Sequence, residues 1–350
     1  MRPRWEALLV GVLLAMPAAT HAQAEAGPSA RQIELIVGSG AGGGYDLYGR
    51  LLARHMGEYL PGHPAIVVQN MPGAGGLRAA NYLYNVAPKD GTVLGTFAHD
   101  LVLLGLTRSG AGAQFNPRKF TWLGSPSSFA DDAYLLIARP DSPVRNAEAA
   151  RAPGGPSLLV GASAQGAGTN DIAIVLRDAL GLNLKIIPGY PDSNAMFLAM
   201  DRGEIDARLT AISVLHSTRP EWLMPQSGMH VILQFAHAAR HPDFPAVPTA
   251  RELARDDRGR RLIELMELPY RLDRPFVAPP NIPRERAQVL RQAFRAVQSD
   301  ARYRDEAARL ELDLSPVDAE AIEQAIAQID AVPPDTLDYI RKLLTNGNAQ

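Results

Sequence analysis

Three glycine-rich loops, each between an apolar strand and an amphipathic helix, carry the clearest chemical signal in this sequence. The three strand–loop–helix segments are 33–60, 65–86 and 157–181. Each arrangement points free backbone N–H groups, and the positive end of a helix dipole of roughly half a charge, at one spot. Such a spot binds anions without a charged side chain. The sequence therefore predicts a protein that holds an anionic solute.

The elements that position these loops alternate between strand and helix. In the first segment Tyr48, Leu52, Met56 and Tyr59 fall on one apolar helical stripe, which ends at Pro61-Gly62. A strand at 92–97 follows the second loop and helix. This alternation predicts an α/β layer built on a parallel sheet.

The amino-terminal residues have the pattern of an export signal. Arg2 and Arg4 precede a short apolar stretch over 7–15, and Ala22-Gln23-Ala24 offers a cleavage pattern. We expect a signal peptide over 1–24, cleaved near Ala22 to Ala24, with an uncleaved anchor as the alternative. The sequence has no cysteine, which excludes disulfides, thiol catalysis, cysteine zinc sites and a lipid-anchored cysteine. These features predict an exported periplasmic protein that is not a lipoprotein.

Composition sets the remaining bounds. A chain of 350 residues, with 46% hydrophobic and 21% charged residues, is expected to form about two globular domains. The net charge is −2, and removing Arg2, Arg4 and Glu6 with the signal peptide makes it −3 (−2 − 2 + 1). This balance argues against a general nucleic-acid or anionic-membrane binder, which needs a basic surface.

Beyond the second loop the chain suggests a crossing to a second unit and a return. Periodicity is lost over 109–126 and resumes as a strand at 133–138. The second unit is predicted to contain the third loop and several strands, with a mixture of strand, loops and charged residues over 225–261. We expect the chain to cross back around 268–278 and to end in a helical tail over 283–343.

Paired loop motifs give the chain a family resemblance. GGG-x-D precedes an R-L-L-A helix, and N-x-P-G-A-G-G follows the next strand. Together with the A-P-K-D-G, F-N-P, P-G-Y, G-E-I-D-A and F-V-A-P runs that follow in order, they resemble Bug-type receptors. These are the periplasmic solute-binding components of tripartite tricarboxylate transporters. The resemblance covers nearly the whole chain after the signal peptide.

The resemblance implies an α/β fold of two lobes around a cleft, a periplasmic binding protein clamshell of type II-like form. Each lobe is then a mainly parallel sheet flanked by helices. Lobe I is expected to span 28–124 plus 272–350, with the first two loops and the C-terminal helices, and lobe II to span 125–271. Hinged closure of the lobes would complete the cleft.

The resemblance also implies which residues contact the ligand. The family binds small carboxylates, largely through backbone groups and waters at the two first-lobe loops. The third loop, on the other lobe, meets the far end of the ligand. The matching positions are Gly42, Gly43, Gly44 and Asp46 in the first loop, Gly73, Ala74, Gly75 and Gly76 in the second, and Ser163, Gln165 and Thr169 in the third.

Some positions depart from the family pattern. Tyr45 stands where Thr or Ser is common, and Asp192-Ser193 falls in a loop where the family has Tyr-Lys-Gly. Arg208, on a predicted core strand, is a candidate to supply the positive charge of the family lysine that this loop lacks. It is equally well explained as a buried arginine paired with an anion of the protein. We include Tyr45, Asp192, Ser193 and Arg208 among the candidate ligand-binding residues.

Other chemistries have weaker support. Gly38, Gly40 and Gly43 satisfy G-x-G-x-x-G, but the next strand ends in Gln69-Asn70 without the acidic residue that a dinucleotide needs.

Two polar residues beside the first loop have structural interpretations. Asp46 could offset the helix dipole or orient the loop N–H groups, and Asn70 could fix the loop.

Two histidine pairs bear on catalysis and metal binding. His99 and Asp100 end a strand at the edge where α/β sheets place ligands, so His99 is a ligand-lining candidate, but no motif supplies them with a catalytic partner. His237 and His241 have zinc-ligand spacing but no third ligand. We therefore predict no metal, no cofactor and no catalytic residue.

The sequence as a whole predicts a periplasmic receptor that binds a small organic carboxylate and delivers it to the membrane subunits of a tripartite transporter. It is expected to act as a monomer and not as an enzyme. The alternatives are an exported enzyme acting on an anionic substrate in the same cleft, and a receptor that reports ligand to a signalling partner.

Overall fold

The computed structural model describes residues 32–107, 112–130, 132–163, 168–236 and 238–347. The predicted signal peptide, Gln165 and His237 lie outside these ranges. Within them, no helix is both long enough and apolar enough to cross a membrane.

Two β-sheets form the frame of the molecule. The strands are β1 Gln32–Val37, β2 Ala65–Asn70, β3 Val93–Thr96, β4 Thr121–Ser125, β5 Tyr134–Ala138, β6 Leu158–Gly161, β7 Leu184–Ile187, β8 Ala207–Ala211, β9 His230–Phe235, β10 Phe276–Ala278 and β11 Val317–Asp318.

Helices flank both sheets. They are α1 Gly44–Met56, α2 Leu77–Asn85, α3 Asp100–Thr107, α4 Ala147–Arg151, α5 Gly168–Leu180, α6 Ser193–Asp201, α7 Ile212–Thr218, α8 Asp257–Glu267, α9 Arg284–Gln298, α10 Ala301–Arg309, α11 Ala319–Asp330 and α12 Pro334–Gly347.

Each sheet combines a parallel half with an antiparallel half. The first sheet has the order β11-β4-β10-β3-β1-β2, with β2, β1 and β3 parallel. The second has the order β7-β6-β8-β5-β9, with β7, β6 and β8 parallel. β10 in the first sheet and β5 in the second run antiparallel to both neighbours. The predicted two-lobed α/β fold is confirmed, with sheets that are mixed because the strands next to the crossings run against their neighbours.

The chain passes between the sheets twice, after β4 and again before β10. We propose that these crossings bound the two lobes, near residues 124 and 272. In the tail, α9 packs with α1 on the first sheet, whereas α12 packs against α5 and α8 beside the second. The tail thus runs on from the first lobe to the second.

The parallel half of the first sheet brings three loops to one edge. Val37 at the end of β1 is in register with Asn70 at the end of β2 and with Thr96 at the end of β3. Because the carboxyl ends of parallel strands share an edge, both first-lobe glycine loops and the His99-Asp100 pair emerge side by side.

Two elements fall where the sequence predicted irregular chain. β4 lies in the stretch without periodicity, because a strand buried on both faces has no alternating pattern. α8 begins inside the charged stretch, capped by Asp256, and buries Leu262, Ile263 and Leu265.

Candidate functional site

The first glycine loop leaves the amino terminus of α1 without a side-chain cap. Gly43 is the N-cap residue, and no side chain accepts a hydrogen bond from the first turn. Gly42 has a φ of +79°, a left-handed conformation that glycine adopts without steric cost. Gly42 and Gly44 are exposed, so the backbone of this loop is open to solvent.

Asp46 fixes the shape of this loop from below. Its buried carboxylate accepts hydrogen bonds from the N–H of Gly42 at 2.7 Å, from Nε of Arg50 at 2.8 Å and from Nδ2 of Asn70 at 2.8 Å. Burial alone raises the pKa of the Asp46 carboxyl, but these three donors outweigh it and hold the pKa below its usual value. Asp46 therefore orients the loop instead of facing an anion.

Asn70 ties the first loop to the strand that leads into the second. Its amide donates to the carbonyl of Ser39 at 3.0 Å and to Asp46, while its own oxygen accepts from Nη2 of Arg50 at 3.0 Å. These side-chain bonds all go to the first loop or to the residues that hold it, which agrees with the interpretation of Asn70 as a loop-fixing residue.

The second loop packs directly against the first. Gly76 has a φ of +94°, and a Cβ added there would lie 3.2 Å from the carbonyl oxygen of Gly38. Gly73, Ala74 and Gly75 are exposed and also have positive φ. Gly76 caps α2 without a side-chain hydrogen bond. Two uncapped helix termini thus lie next to each other at one edge of the first lobe.

Neither α1 nor α2 has a side-chain cap, and the same is true of α7 and α9 among the described helices. Five other helices have an Asn or Asp side chain that accepts from their first turn; these caps are Asn146, Asp192, Asp256, Asp300 and Asp318. At α1 the glycine cap leaves the N–H groups of the first turn to other acceptors, whereas at α2 the N–H groups of Gly76, Leu77 and Arg78 donate to the carbonyls of Gly73 and Ala74. The first loop is therefore suited to an external anion, and the exposed Gly73–Gly75 backbone lies beside it.

A cation that the sequence analysis missed lies against the first loop. The Nη2 atom of Arg274 is 3.4 Å from the position of a Cβ added to Gly44, and its guanidinium carbon is 4.7 Å from the ring centre of Tyr45. Its Nη1 pairs with Asp273, while its buried Nε has no hydrogen-bond partner among the described residues. Burial lowers the pKa of Arg274, but Asp273 and the neighbouring tyrosines raise it above its ordinary value, so the side chain is charged.

The only sequence signal for Arg274 is its place beside the F-V-A-P run, where the chain returns to the first sheet. A cation at the positive end of α1 is unfavourable by itself. An anion held between the guanidinium and the loop N–H groups would offset that repulsion.

Tyr45 and His99 form a buried cluster beside Arg274. The Tyr45 hydroxyl donates to the carbonyl of Asp273 at 3.2 Å and accepts from the N–H of His99 at 3.0 Å. The His99 ring packs against Tyr270 with 4.3 Å between the ring centres and a tilt of 56°, and His99 is only 5% exposed. The structure thus places Tyr45 next to the first glycine loop, whereas His99 is buried behind Tyr45 and contacts Tyr45 and Tyr270.

The second lobe contributes Arg208, Ser193 and Asp192. Arg208 donates to the carbonyl of Ser193 at 2.7 Å and to its hydroxyl at 3.0 Å, and lies 4.1 Å from the Phe197 ring centre. No carboxylate in the described part of the chain forms a salt bridge with it, and burial lowers its pKa to about 10. Asp192 caps α6 by accepting from Ala195 at 2.9 Å. This cap explains an acidic residue at that position.

At the third loop, a carboxylate of the chain itself meets the helix terminus. The N–H of Gly168 donates to Oδ2 of Asp100, across the two lobes, at 2.6 Å. Ser163 and Thr169 are bonded to each other beside it, with 3.2 Å between their hydroxyl oxygens.

The described residues contain no cluster of three or more histidine, cysteine, aspartate or glutamate side chains suited to a metal ion. His241 is buried next to Asp243, at 3.8 Å.

The fold and this site define the class of protein: a two-lobed solute-binding protein of the periplasmic type, whose first lobe presents uncapped helix termini and an arginine at the interlobe cleft. The family model described as "Tripartite tricarboxylate transporter family receptor" matches residues 49–332. The chain therefore belongs to this receptor family.

Individual relatives agree with this assignment. The "UPF0065 protein in gbd 5'region" of Cupriavidus necator is 28% identical over 305 residues, covering 86% of this chain and 84% of that protein. A TctC solute-binding protein from Polaromonas, solved without ligand, has 22% identity and a TM-score of 0.62, covering 90% of this chain and 98% of that one. Rpa4515 of R. palustris, solved with adipate, has 19% identity and a TM-score of 0.63, covering 90% and 97%. At these identities the two structures establish the fold.

Proposed function

We propose that this protein is a periplasmic receptor that binds a small organic carboxylate between its lobes and delivers it to the membrane subunits of a tripartite transporter. The observation that carries this proposal is the position of Arg274, a charged guanidinium with an unbonded Nε, at the uncapped amino terminus of α1. Membership in the receptor family and the adipate bound by Rpa4515 support the choice of a carboxylate.

The proposed binding mode uses the two first-lobe loops as the anchor. The ligand carboxylate would lie against the Gly42–Gly44 and Gly73–Gly76 stretches and accept from the N–H of Gly44, from N–H groups of Gly73–Gly75 and from Arg274, since the N–H groups of Gly42, Gly43 and Gly76 donate within the chain. Each charge-assisted hydrogen bond contributes about 1.5–3 kcal/mol. Three or four such bonds are enough for micromolar affinity after the cost of ordering is subtracted. Ser163, Gln165, Thr169, Ser193 and Arg208 remain candidates for the second-lobe side.

We further propose that the protein acts without chemical turnover, as a monomer, after removal of a signal peptide near Ala22 to Ala24. Among the described residues there, the Tyr45 hydroxyl lies 3.2 Å from Nδ1 of His99 but donates to the carbonyl of Asp273, and the hydroxyls of Ser163 and Thr169 are bonded to each other. Recovery of the ligand unchanged after prolonged incubation supports a receptor, and accumulation of a product supports the enzyme alternative. Light scattering of the purified protein tests the monomer.

The first test is binding of a carboxylate panel measured by thermal shift and titration calorimetry. Aliphatic, aromatic, hydroxy- and keto-acids form the panel, with phosphate and NAD as comparators. At about a hundred times its dissociation constant a ligand adds roughly 2.7 kcal/mol to the free energy of unfolding. Selective stabilisation by carboxylates supports the proposal, whereas no response to any acid refutes it.

Variants of Arg274 test the anchor. Arg274→Met is expected to weaken binding of the best acid about 10- to 100-fold, because one charge-assisted bond is lost. Arg274→Lys keeps the charge next to Asp273 and should lose less, which guards against a folding defect. Arg284→Met, at the exposed start of α9, is the matched control and should bind normally. Unchanged affinity in a folded Arg274→Met protein would remove Arg274 from the site.

A further inference from the structure

The third loop already contacts a carboxylate from the first lobe. Asp100, in the first turn of α3, belongs to the first-sheet side of the molecule, whereas Gly168 begins α5 on the second. The 2.6 Å bond between Oδ2 of Asp100 and the N–H of Gly168 places that carboxylate at the positive ends of both helices.

The surroundings of this bond are those expected at the far end of a ligand. A Cβ added to Gly168 would lie 3.2 Å from Oδ2 of Asp100 and 3.9 Å from the Ser163 hydroxyl. Thr169, the other described third-loop candidate, bonds to Ser163. The side chain of Asp100 therefore occupies the position that the third loop would offer to a second ligand carboxylate.

Other groups on this side reinforce the negative charge. Asp171, also in the first turn of α5, lines the same small interlobe cavity as Asp100, together with Ile172, Met266 and Tyr270. In the second lobe, the side chain of Arg208 is 2% exposed and is bonded to Ser193.

The two ends of the cleft thus differ in charge. The first-lobe loops and Arg274 attract one carboxylate, whereas Asp100 and Asp171 repel a second one. We infer that Asp100 is a specificity-determining residue that restricts this receptor to monocarboxylates with an uncharged far end. This inference rests on the proposed carboxylate receptor function and adds the class of solute.

Matched acid pairs test it directly. The pairs are butyrate and succinate, hexanoate and adipate, and benzoate and terephthalate, each with one member carrying a second carboxylate. For the pair that binds best, the wild-type protein should bind the monocarboxylate at least tenfold more tightly, a difference of about 1.4 kcal/mol. Asp100→Ala should raise the affinity for the dicarboxylate at least tenfold and change that for the monocarboxylate less than threefold.

Two further variants keep the test sharp. Asp100→Asn retains an acceptor for Gly168 without the negative charge, so it should shift the preference in the same direction even if Asp100→Ala is poorly folded. Asp257→Ala, which removes an exposed first-turn aspartate of α8, should leave the preference unchanged.

The outcomes separate this inference from the receptor function. Tighter binding of dicarboxylates by the wild-type protein, or a preference that is the same in folded Asp100→Asn, overturns the role of Asp100 while leaving the receptor function intact. Failure of the wild-type protein to bind any acid of the three pairs or of the wider panel overturns both.

Discussion

Removal of the Asp46 carboxylate tests whether the first loop is held in shape by one buried group. Asp46 is 1% exposed and accepts from three donors, those of Gly42, Arg50 and Asn70. Asp46→Ala leaves all three without their acceptor, and it frees the loop that carries the proposed anchor.

The expected cost follows from the three contacts. The Arg50 side chain is 42% exposed, so its pair with Asp46 is screened by solvent and adds little to the sum. The bonds from Gly42 and Asn70 reach a buried carboxylate and contribute about 1.5 kcal/mol each, the lower end of the range for bonds to a charged group. The sum predicts a loss of roughly 3 kcal/mol in the free energy of unfolding. In a chain of this size the melting temperature should fall by roughly 5 °C.

Urea unfolding of the variant measures this loss, and Asp192→Ala is the control. Asp192 caps α6 through one bond, to Ala195, and its removal should cost only about 1 kcal/mol. Calorimetry with the best carboxylate should also show at least tenfold weaker binding by Asp46→Ala, because the N–H groups of the loop are no longer aligned. Asp192→Ala should retain affinity within about threefold.

The pH dependence provides a second readout with a defined sign. The pKa of Asp46 is lowered in the folded protein, so its contribution is present above the unfolded value of about 3.9 and is lost as pH falls below it. The stability difference between wild type and Asp46→Ala should therefore shrink from about pH 6 to about pH 3. A loss no larger than that of Asp192→Ala, or a difference that is independent of pH, would refute the assigned role.

Two other perturbations have expected outcomes. Gly76→Ala should destabilise the protein by about 1–2 kcal/mol and weaken carboxylate binding, because φ is +94° and the new Cβ would press on the Gly38 carbonyl. The control is Gly40→Ala, which has open space around it and should be neutral in the same melting and binding assays. Burial raises the pKa of Glu267 to about 7 despite its pairing with Arg251. Because the pKa is raised, protonated Glu267 stabilises the folded state fully below the unfolded pKa of about 4.5, and this contribution disappears as the pH rises through about 7. The free energy of unfolding of the wild type should therefore fall by up to roughly 3 kcal/mol between these pH values. Glu267→Gln should flatten this slope in urea titrations, and an unchanged slope would contradict the assignment.

Local sequence determined the elements of the first lobe and the nature of its edge. The apolar stripe of α1, the two glycine loops and the parallel strands before them were predictable because helical periodicity and uncapped helix starts depend on neighbours within a few residues. The strand predicted at 133–138, which is β5, followed for the same reason. The sequence also predicts a cap at Asp192, because aspartate before a helix start is a preferred N-cap residue. The family resemblance had instead suggested Asp192 as a ligand contact.

The tertiary structure alone decided which distant groups meet at the cleft. Arg274 is separated from Gly44 by most of the chain, and Asp100 from Gly168 by a crossing between the lobes. No local pattern encodes such pairs, because their approach depends on sheet order and on where the chain crosses between sheets. The sequence by itself specified an anion-binding edge of backbone N–H groups. The strand order of the first sheet placed a cation at that edge, and the packing of the two lobes set a first-lobe carboxylate against the third loop, because each of these contacts joins elements far apart in the chain.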